Sequence, residues 1–153
     1  MLCGCVIISQ YDMGSANWKG DIGMKILIVE DDFASRKFMM DYMSKYGECD
    51  GTVDGSEAVE AFMMAREDDE PYDLVCLDIM MPSMDGYQVL KAIREIEEEE
   101  GVPKSEEAKV IMMTALSEEK NVKKAFEMGC SVYCAKPVNV EKLTSAMKKL
   151  GVL

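Results

Sequence analysis

The chain predicts an α/β fold: a three-layer, doubly wound (βα)5 sandwich in which five parallel strands alternate with five helices. Three observations predict it. From Met24 onward, short apolar runs alternate with longer stretches of helical periodicity, as consecutive βα units do. Three of the runs are near-continuously apolar, which is expected of strands covered by helices on both faces. Turn signals at Gly47, Asp54-Gly55, Gly86 and Gly129 fall where one periodicity gives way to the next.

The strand-length runs are Lys25–Val29, Cys49–Val53, Leu74–Leu77, Val110–Met113 and Val132–Ala135, the second being the weakest. The helical patterns run from Phe33 to Tyr46, Ser56 to Arg66, Tyr87 to Glu98, Glu118 to Met128 and Val140 to Leu150. In the last of them Val140, Leu143, Met147 and Leu150 line up as one apolar stripe able to close a sheet face. Crossovers between parallel strands are right-handed, so helices lie on both faces. Ligands of such folds bind beyond the carboxyl ends of the strands. That rule directs attention to the residues after Val29, Leu77, Met113 and Ala135.

Composition narrows the function classes. At 153 residues and 48% hydrophobic content the chain has material for one ordinary domain. With 17 basic against 29 acidic residues its formal charge is −12, which repels phosphate backbones and argues against direct nucleic-acid binding. No stretch reaches the ~20 consecutive apolar residues of a membrane span, so the expectation is a soluble, cytoplasmic protein. Six cysteines stand at positions 3, 5, 49, 76, 130 and 134 without paired C-x-x-C knuckles, and there is no histidine. A Cys/His zinc site is thereby excluded, and reduced thiols are expected. Residues 1–23 differ in character, with an apolar patch from Leu2 to Ile8 and then small and polar residues; a basic n-region is missing, so they do not read as a signal peptide. We expect them to be a disordered extension, a misassigned start or vector-derived sequence, with the working domain over residues 24–153.

The strand ends carry the chemistry. Glu30-Asp31-Asp32 follows the first strand, Asp78 follows the third, Thr114 ends the fourth, and Lys136-Pro137 follows the fifth. Clustered carboxylates repel by roughly 1 to 4 kcal/mol per pair at about 4 Å, so they call for a cation. Mg²⁺ suits them because it is held by one or two carboxylates together with waters and phosphate oxygens. Two acids with a metal, a further acid, a hydroxyl and a lysine make up the equipment for phosphoryl transfer, with Asp78 placed as nucleophile. Each residue alone has a plainer reading: Asp32 or Ser35 as a helix N-cap, Lys136 as a surface lysine, Thr114 as a strand former. The inference rests on all four strand ends carrying complementary chemistry together.

The segments Ile26-Leu27-Ile28-Val29-Glu30-Asp31-Asp32, Asp78-Ile79-Met80-Met81-Pro82-Ser83-Met84-Asp85-Gly86, Met113-Thr114-Ala115 and Ala135-Lys136-Pro137 resemble the receiver domain of two-component response regulators. The likeness extends from Met24 nearly to the end of the chain. It implies a flavodoxin-like sheet of order 2-1-3-4-5. It also implies that Asp78 is the phosphoacceptor and that Mg²⁺, or Mn²⁺ in its place, is bound by Asp31, Asp78, the Met80 backbone carbonyl and, largely through water, Glu30. Asp32 is left outside the metal shell. Thr114 would contact a phosphoryl oxygen, Lys136 would pair with its charge, and Tyr133 would be the aromatic switch that turns inward. The Lys136-Pro137 bond is where the family usually carries a cis peptide. The implied phosphodonor is a histidine kinase or a histidine phosphotransfer protein. The implied output is a shift in the surface of the fourth helix, fifth strand and fifth helix, read by another protein or by a phosphorylation-dependent dimer of an otherwise monomeric chain. Apart from its own phosphorylation and dephosphorylation, no enzymatic turnover is expected.

One departure is length: 36 residues separate Asp78 from Thr114, and the excess over the family maps to the acidic stretch Glu97–Glu107, read here as a solvated face. Met80 and Leu116 are bulky and apolar beside the route of an attacking water, which predicts slow autodephosphorylation. Two other readings stay in view, a phosphate-independent interaction module and a redox sensor built on Cys130 and Cys134. A phosphohydrolase would need an acid where Met80 stands.

Overall fold

The computed structural model describes residues 5–7, 23–115 and 119–153. Its strands are β1 (Cys5–Ile7), β2 (Met24–Val29), β3 (Gly47–Thr52), β4 (Leu74–Asp78), β5 (Lys109–Thr114) and β6 (Val132–Ala135). The helices are α1 (Phe33–Met43), α2 (Gly55–Glu67), α3 (Gly86–Glu99), α4 (Glu119–Glu127) and α5 (Val140–Lys149), with one 3-10 turn at Lys104–Glu106.

The sheet runs β1-β6-β5-β4-β2-β3. Strands β2 to β6 are mutually parallel wherever they pair, and counted among themselves they stand in the expected 2-1-3-4-5 order. The five-stranded sheet needs one addition. Cys5–Ile7, inside the segment read as an extension, pairs antiparallel with the outer edge of β6. Sequence pattern could not place a three-residue strand that lies outside the βα repeat. The rest of the expected extension, residues 1–4 and 8–22, lies outside the described residues, as does Leu116.

Alternation along each parallel strand sorts its side chains between two cores. Leu27, Val29, Val75, Leu77, Val110, Met112 and Tyr133 pack toward α2, α3 and α4, with Phe62, Leu90, Ile93 and Ala125. Ile26, Ile28, Leu74, Cys76, Ile111, Met113 and Val132 pack toward α1 and α5, with Met43, Leu143 and Met147. Each large apolar side chain so buried is worth about 1.5–3 kcal/mol, and the sheet is therefore fixed in register from both sides. This is why residues at the carboxyl ends of the strands hold definite positions.

The weak second strand begins at Gly47, earlier than its apolar pattern indicates, because Met24 pairs with Gly47 at the start of the β2–β3 register. A Cβ there would come within 2.0 Å of the Met24 carbonyl oxygen. Helix α1 correspondingly stops at Met43.

The acidic stretch Glu97–Glu107 is not wholly solvated. Glu97 is 1% exposed. It accepts from Arg94 Nη1 at 2.6 Å and from the Ala108 backbone N–H at 2.8 Å. The added length is thus tied to the start of β5, and a charge run in sequence concealed one buried, hydrogen-bonded member. The expectation of reduced thiols also needs correcting. Cys49, Cys76 and Cys130 are free, but Cys134 is disulfide-bonded. Its β6 position faces Cys5 of β1 in the backbone register, a proximity that only the antiparallel strand creates.

Candidate functional site

Strands β2 and β4 are neighbours, so their carboxyl ends deliver Glu30-Asp31 and Asp78 to one place. Carboxylate oxygens of Glu30, Asp31 and Asp78 lie within 4.8 Å of one another, with Glu30 and Asp78 buried and Asp31 exposed. β6 brings Lys136 to the same edge. Its ammonium donates to Glu30 Oε2 at 2.7 Å and to Asp78 Oδ2 at 3.2 Å. One cation is therefore divided between two buried carboxylates while a third stands beside them.

Electrostatics reflects that shortage of positive charge. Burial pushes the Glu30 carboxyl above its ordinary value; the Lys136 hydrogen bond pulls it back and the Asp78 charge pushes it further. Burial works against the charge on Lys136, but the hydrogen bond to Glu30 and the charge of Asp78 outweigh it and hold the ammonium above its usual value. The donor set is all oxygen, acidic and partly open to solvent, which fits a hard divalent cation of the Mg²⁺ type and not a thiolate- or imidazole-seeking metal.

Local structure fixes each group. Asp32 caps α1, accepting from the Ser35 N–H at 2.8 Å, the N-cap role its position after the strand offered. That bond lowers its carboxyl below the ordinary value. Arg36, one turn into α1, donates to the Glu30 backbone carbonyl at 2.9 Å and so braces the turn, a role that its sequence position alone does not announce. After Asp78 the chain folds back on itself, with the Gly86 N–H donating to the Ile79 carbonyl at 2.9 Å. A Cβ on Gly86 would stand 2.6 Å from the Asp78 carbonyl oxygen, so only glycine allows this return. Asp85 and Gln88 close a reciprocal capping box at the start of α3.

The remaining predicted positions fall as follows. Met80 follows on the loop, 57% exposed, its N–H donating to Asp78 Oδ1 at 3.2 Å. Thr114 is fully buried at the end of β5, beside Ala135 in the register, and its carbonyl accepts from the Lys136 N–H at 2.8 Å. Tyr133 lies inward, 2% exposed, in the core shared with Tyr87. The Lys136-Pro137 peptide is cis. Glu30, Asp31, Asp78 and Lys136 are thus brought together, with Met80 on the loop after β4, Thr114 at the end of β5 and Tyr133 two residues inside the end of β6.

A parallel sheet of this order, carrying an acid cluster and a lysine at its carboxyl edge, defines the class of phospho-acceptor signalling modules. The response regulator receiver domain family matches residues 26–148, and the chain belongs to that family. It is 31% identical over 126 residues to the sporulation initiation phosphotransferase F of Bacillus subtilis, covering 82% of this chain and 91% of the relative. It is 33% identical to a probable transcriptional regulator, ycf29, of Porphyra purpurea, covering 82% of this chain but 55% of that one. The chain thus spans about half the length, or less, of several of its curated relatives. Among solved structures it resembles the CheX–CheY complex with beryllofluoride and Mg²⁺ from Borrelia burgdorferi. There the TM-score is 0.73 and the identity 29%, with 85% of this chain and 90% of the other covered.

Proposed function

We propose that residues 24–153 form a receiver domain in which Asp78 accepts a phosphoryl group from a histidine kinase or a histidine phosphotransfer protein. The observation that carries this reading is the Lys136 ammonium divided between Glu30 and Asp78 beside a third carboxylate. Asp31, Asp78, the Met80 carbonyl and, through water, Glu30 would hold Mg²⁺, with Mn²⁺ an acceptable substitute. The ion supplies charge neutralisation to the carboxylates and to the phosphoryl oxygens.

An Asp78 carboxylate oxygen attacks phosphorus as the bond from phosphorus to the donor imidazole nitrogen breaks, and the imidazole keeps the electron pair. Lys136 already sits 3.2 Å from Asp78, so it pairs with phosphoryl charge by a small movement away from Glu30. Thr114 offers its hydroxyl to a phosphoryl oxygen. Tyr133, buried beside the site, is the aromatic group whose position phosphorylation biases. The output is the surface of α4, β6 and α5. The setting that suits an ATP-dependent donor of this kind is the cytoplasm. Beyond its own phosphorylation chemistry the domain turns over no substrate.

Acetyl phosphate with Mg²⁺ is the direct test. The wild-type chain is expected to gain one hydroxylamine-sensitive phosphoryl group, and Asp78→Asn to gain none. An unlabelled wild-type chain of native fold overturns the reading in favour of a phosphate-independent interaction module.

A further inference from the structure

Charge is distributed unevenly along this chain. Residues 119–153 carry seven lysines, no arginine and three glutamates, although the whole molecule has a formal charge of −12. These residues form α4, β6 and α5, with the edge strand β1 pairing along the outer side of β6. α4 belongs to one core and α5 to the other, so the two helices cover opposite faces of the sheet beside β6. Their buried sides are Val122 and Ala125 in α4 and Leu143, Ala146 and Met147 in α5. Lys120, Lys123, Lys124, Lys142 and Lys149 are on the exposed sides.

We propose that this face docks an acidic segment of a partner protein. The proposal rests on the reading of α4, β6 and α5 as the output surface and names the chemistry of what reads it. A positive face on a strongly negative molecule orients an acidic partner toward itself and turns it away from the other sides. Three features choose a polypeptide over other anions. The cations are all lysines, point charges without the bidentate fork that favours phosphate-backbone recognition. The rest of the molecule repels a long polyanion such as a nucleic acid. The large apolar side chains exposed among the described residues are Phe33, Phe38, Val53, Met63, Met64, Met80 and Leu153, none of them within α4 or α5, so those helices offer nothing to insert into a lipid surface. Contact through charge with little apolar anchoring is fast, salt-sensitive and reversible, as a signalling encounter requires.

The test is fluorescence anisotropy of a short fluorescein-labelled Glu-rich peptide, with acetyl phosphate and Mg²⁺ present. Lys120→Glu/Lys142→Glu is expected to weaken binding about tenfold. Lys37→Glu/Lys91→Glu makes the same change in net charge on α1 and α3, where the lysine side chains are 64% and 69% exposed, and is expected to have a much smaller effect. Equal losses in the two variants, or no binding to wild type, overturn the proposal. Tighter binding of single-stranded DNA of equal charge overturns it in favour of a nucleic acid. A salt-sensitive dimer in sedimentation equilibrium, abolished by Lys120→Glu/Lys142→Glu in a chain that ignores the peptide, overturns it in favour of a second copy. Phosphoryl labelling separates the two levels: a Lys120→Glu/Lys142→Glu chain that labels normally and loses the peptide implicates this face alone. A wild-type chain that does not label removes the functional reading itself.

Discussion

Among the described residues two glutamates are almost fully buried, Glu30 and Glu97, each 1% exposed, and they sit at opposite ends of the parallel sheet. Glu97 has a guanidinium at 2.6 Å and a backbone N–H at 2.8 Å, and the same Arg94 also donates to the Gly129 carbonyl at 2.8 Å. Glu30 has the Lys136 ammonium at 2.7 Å, but that ammonium also serves Asp78. The difference separates structure from function. A rigid fork that satisfies several acceptors locks a loop onto the core, whereas a mobile point charge shared between carboxylates leaves a site short of positive charge. The first end is closed, and the second is left open to the cation and phosphoryl group proposed for it.

The largest expected effect breaks the closed end. Removing one partner of a buried, hydrogen-bonded pair leaves the other uncompensated, so Glu97→Ala should cost about 3 kcal/mol in urea unfolding. Labelling of Asp78 should persist in the variant below its unfolding transition. A loss under about 1 kcal/mol would mean that Arg94 finds full compensation elsewhere, with Glu107 at 3.7 Å the nearest substitute. At the open end the ranking inverts. Glu30→Gln should leave stability without Mg²⁺ nearly unchanged or raised, because burial disfavours the carboxylate, while apparent Mg²⁺ affinity falls about tenfold. Thermal shifts across a Mg²⁺ titration read both quantities, and unchanged affinity would remove Glu30 from the metal's surroundings.

Most of the open end was legible in sequence, because its residues follow the strands directly and strand ends are where such sheets gather their chemistry. Glu30, Asp31, Asp78 and Lys136 converge as the pattern predicts, and Asp32 caps its helix. The closed end was not legible. A glutamate within Glu97-Glu98-Glu99-Glu100 looks like its neighbours until a loop brings Ala108 to it. The pairing of β1 with β6 was equally hidden, since a short antiparallel edge strand has no periodicity of its own. Local chemistry shows in sequence, and long-range satisfaction of a single buried group does not.

A smaller effect tests the loop that carries Asp78 back to α3. Asp85→Ala removes the side chain that accepts from the Gln88 N–H at 2.9 Å and should cost about 1 kcal/mol, as loss of an N-cap does. Because α3 begins against the Asp78 carbonyl, the same variant should label more slowly. Unaltered labelling with the full stability loss would show that the cap supports the helix and not the site.

The smallest effect appears only at alkaline pH. The Lys136 ammonium is held above its ordinary value of 10.5 in the folded chain. The folded state therefore binds this proton more tightly than the unfolded state does. The stabilisation it confers is complete below the unfolded value and is lost as pH rises through the higher folded one. Burial also raises the hydroxyls of Tyr72 and Tyr133, so stability falls in this range for wild type and variant alike. Lys136→Met retains that common background and lacks the lysine contribution. Urea midpoints should therefore decline less steeply in the variant than in wild type above pH 10.5. Parallel declines would mean that Glu30 and Asp78 hold the ammonium no better than water does, and the charge shortage would then have to reside in the carboxylates alone.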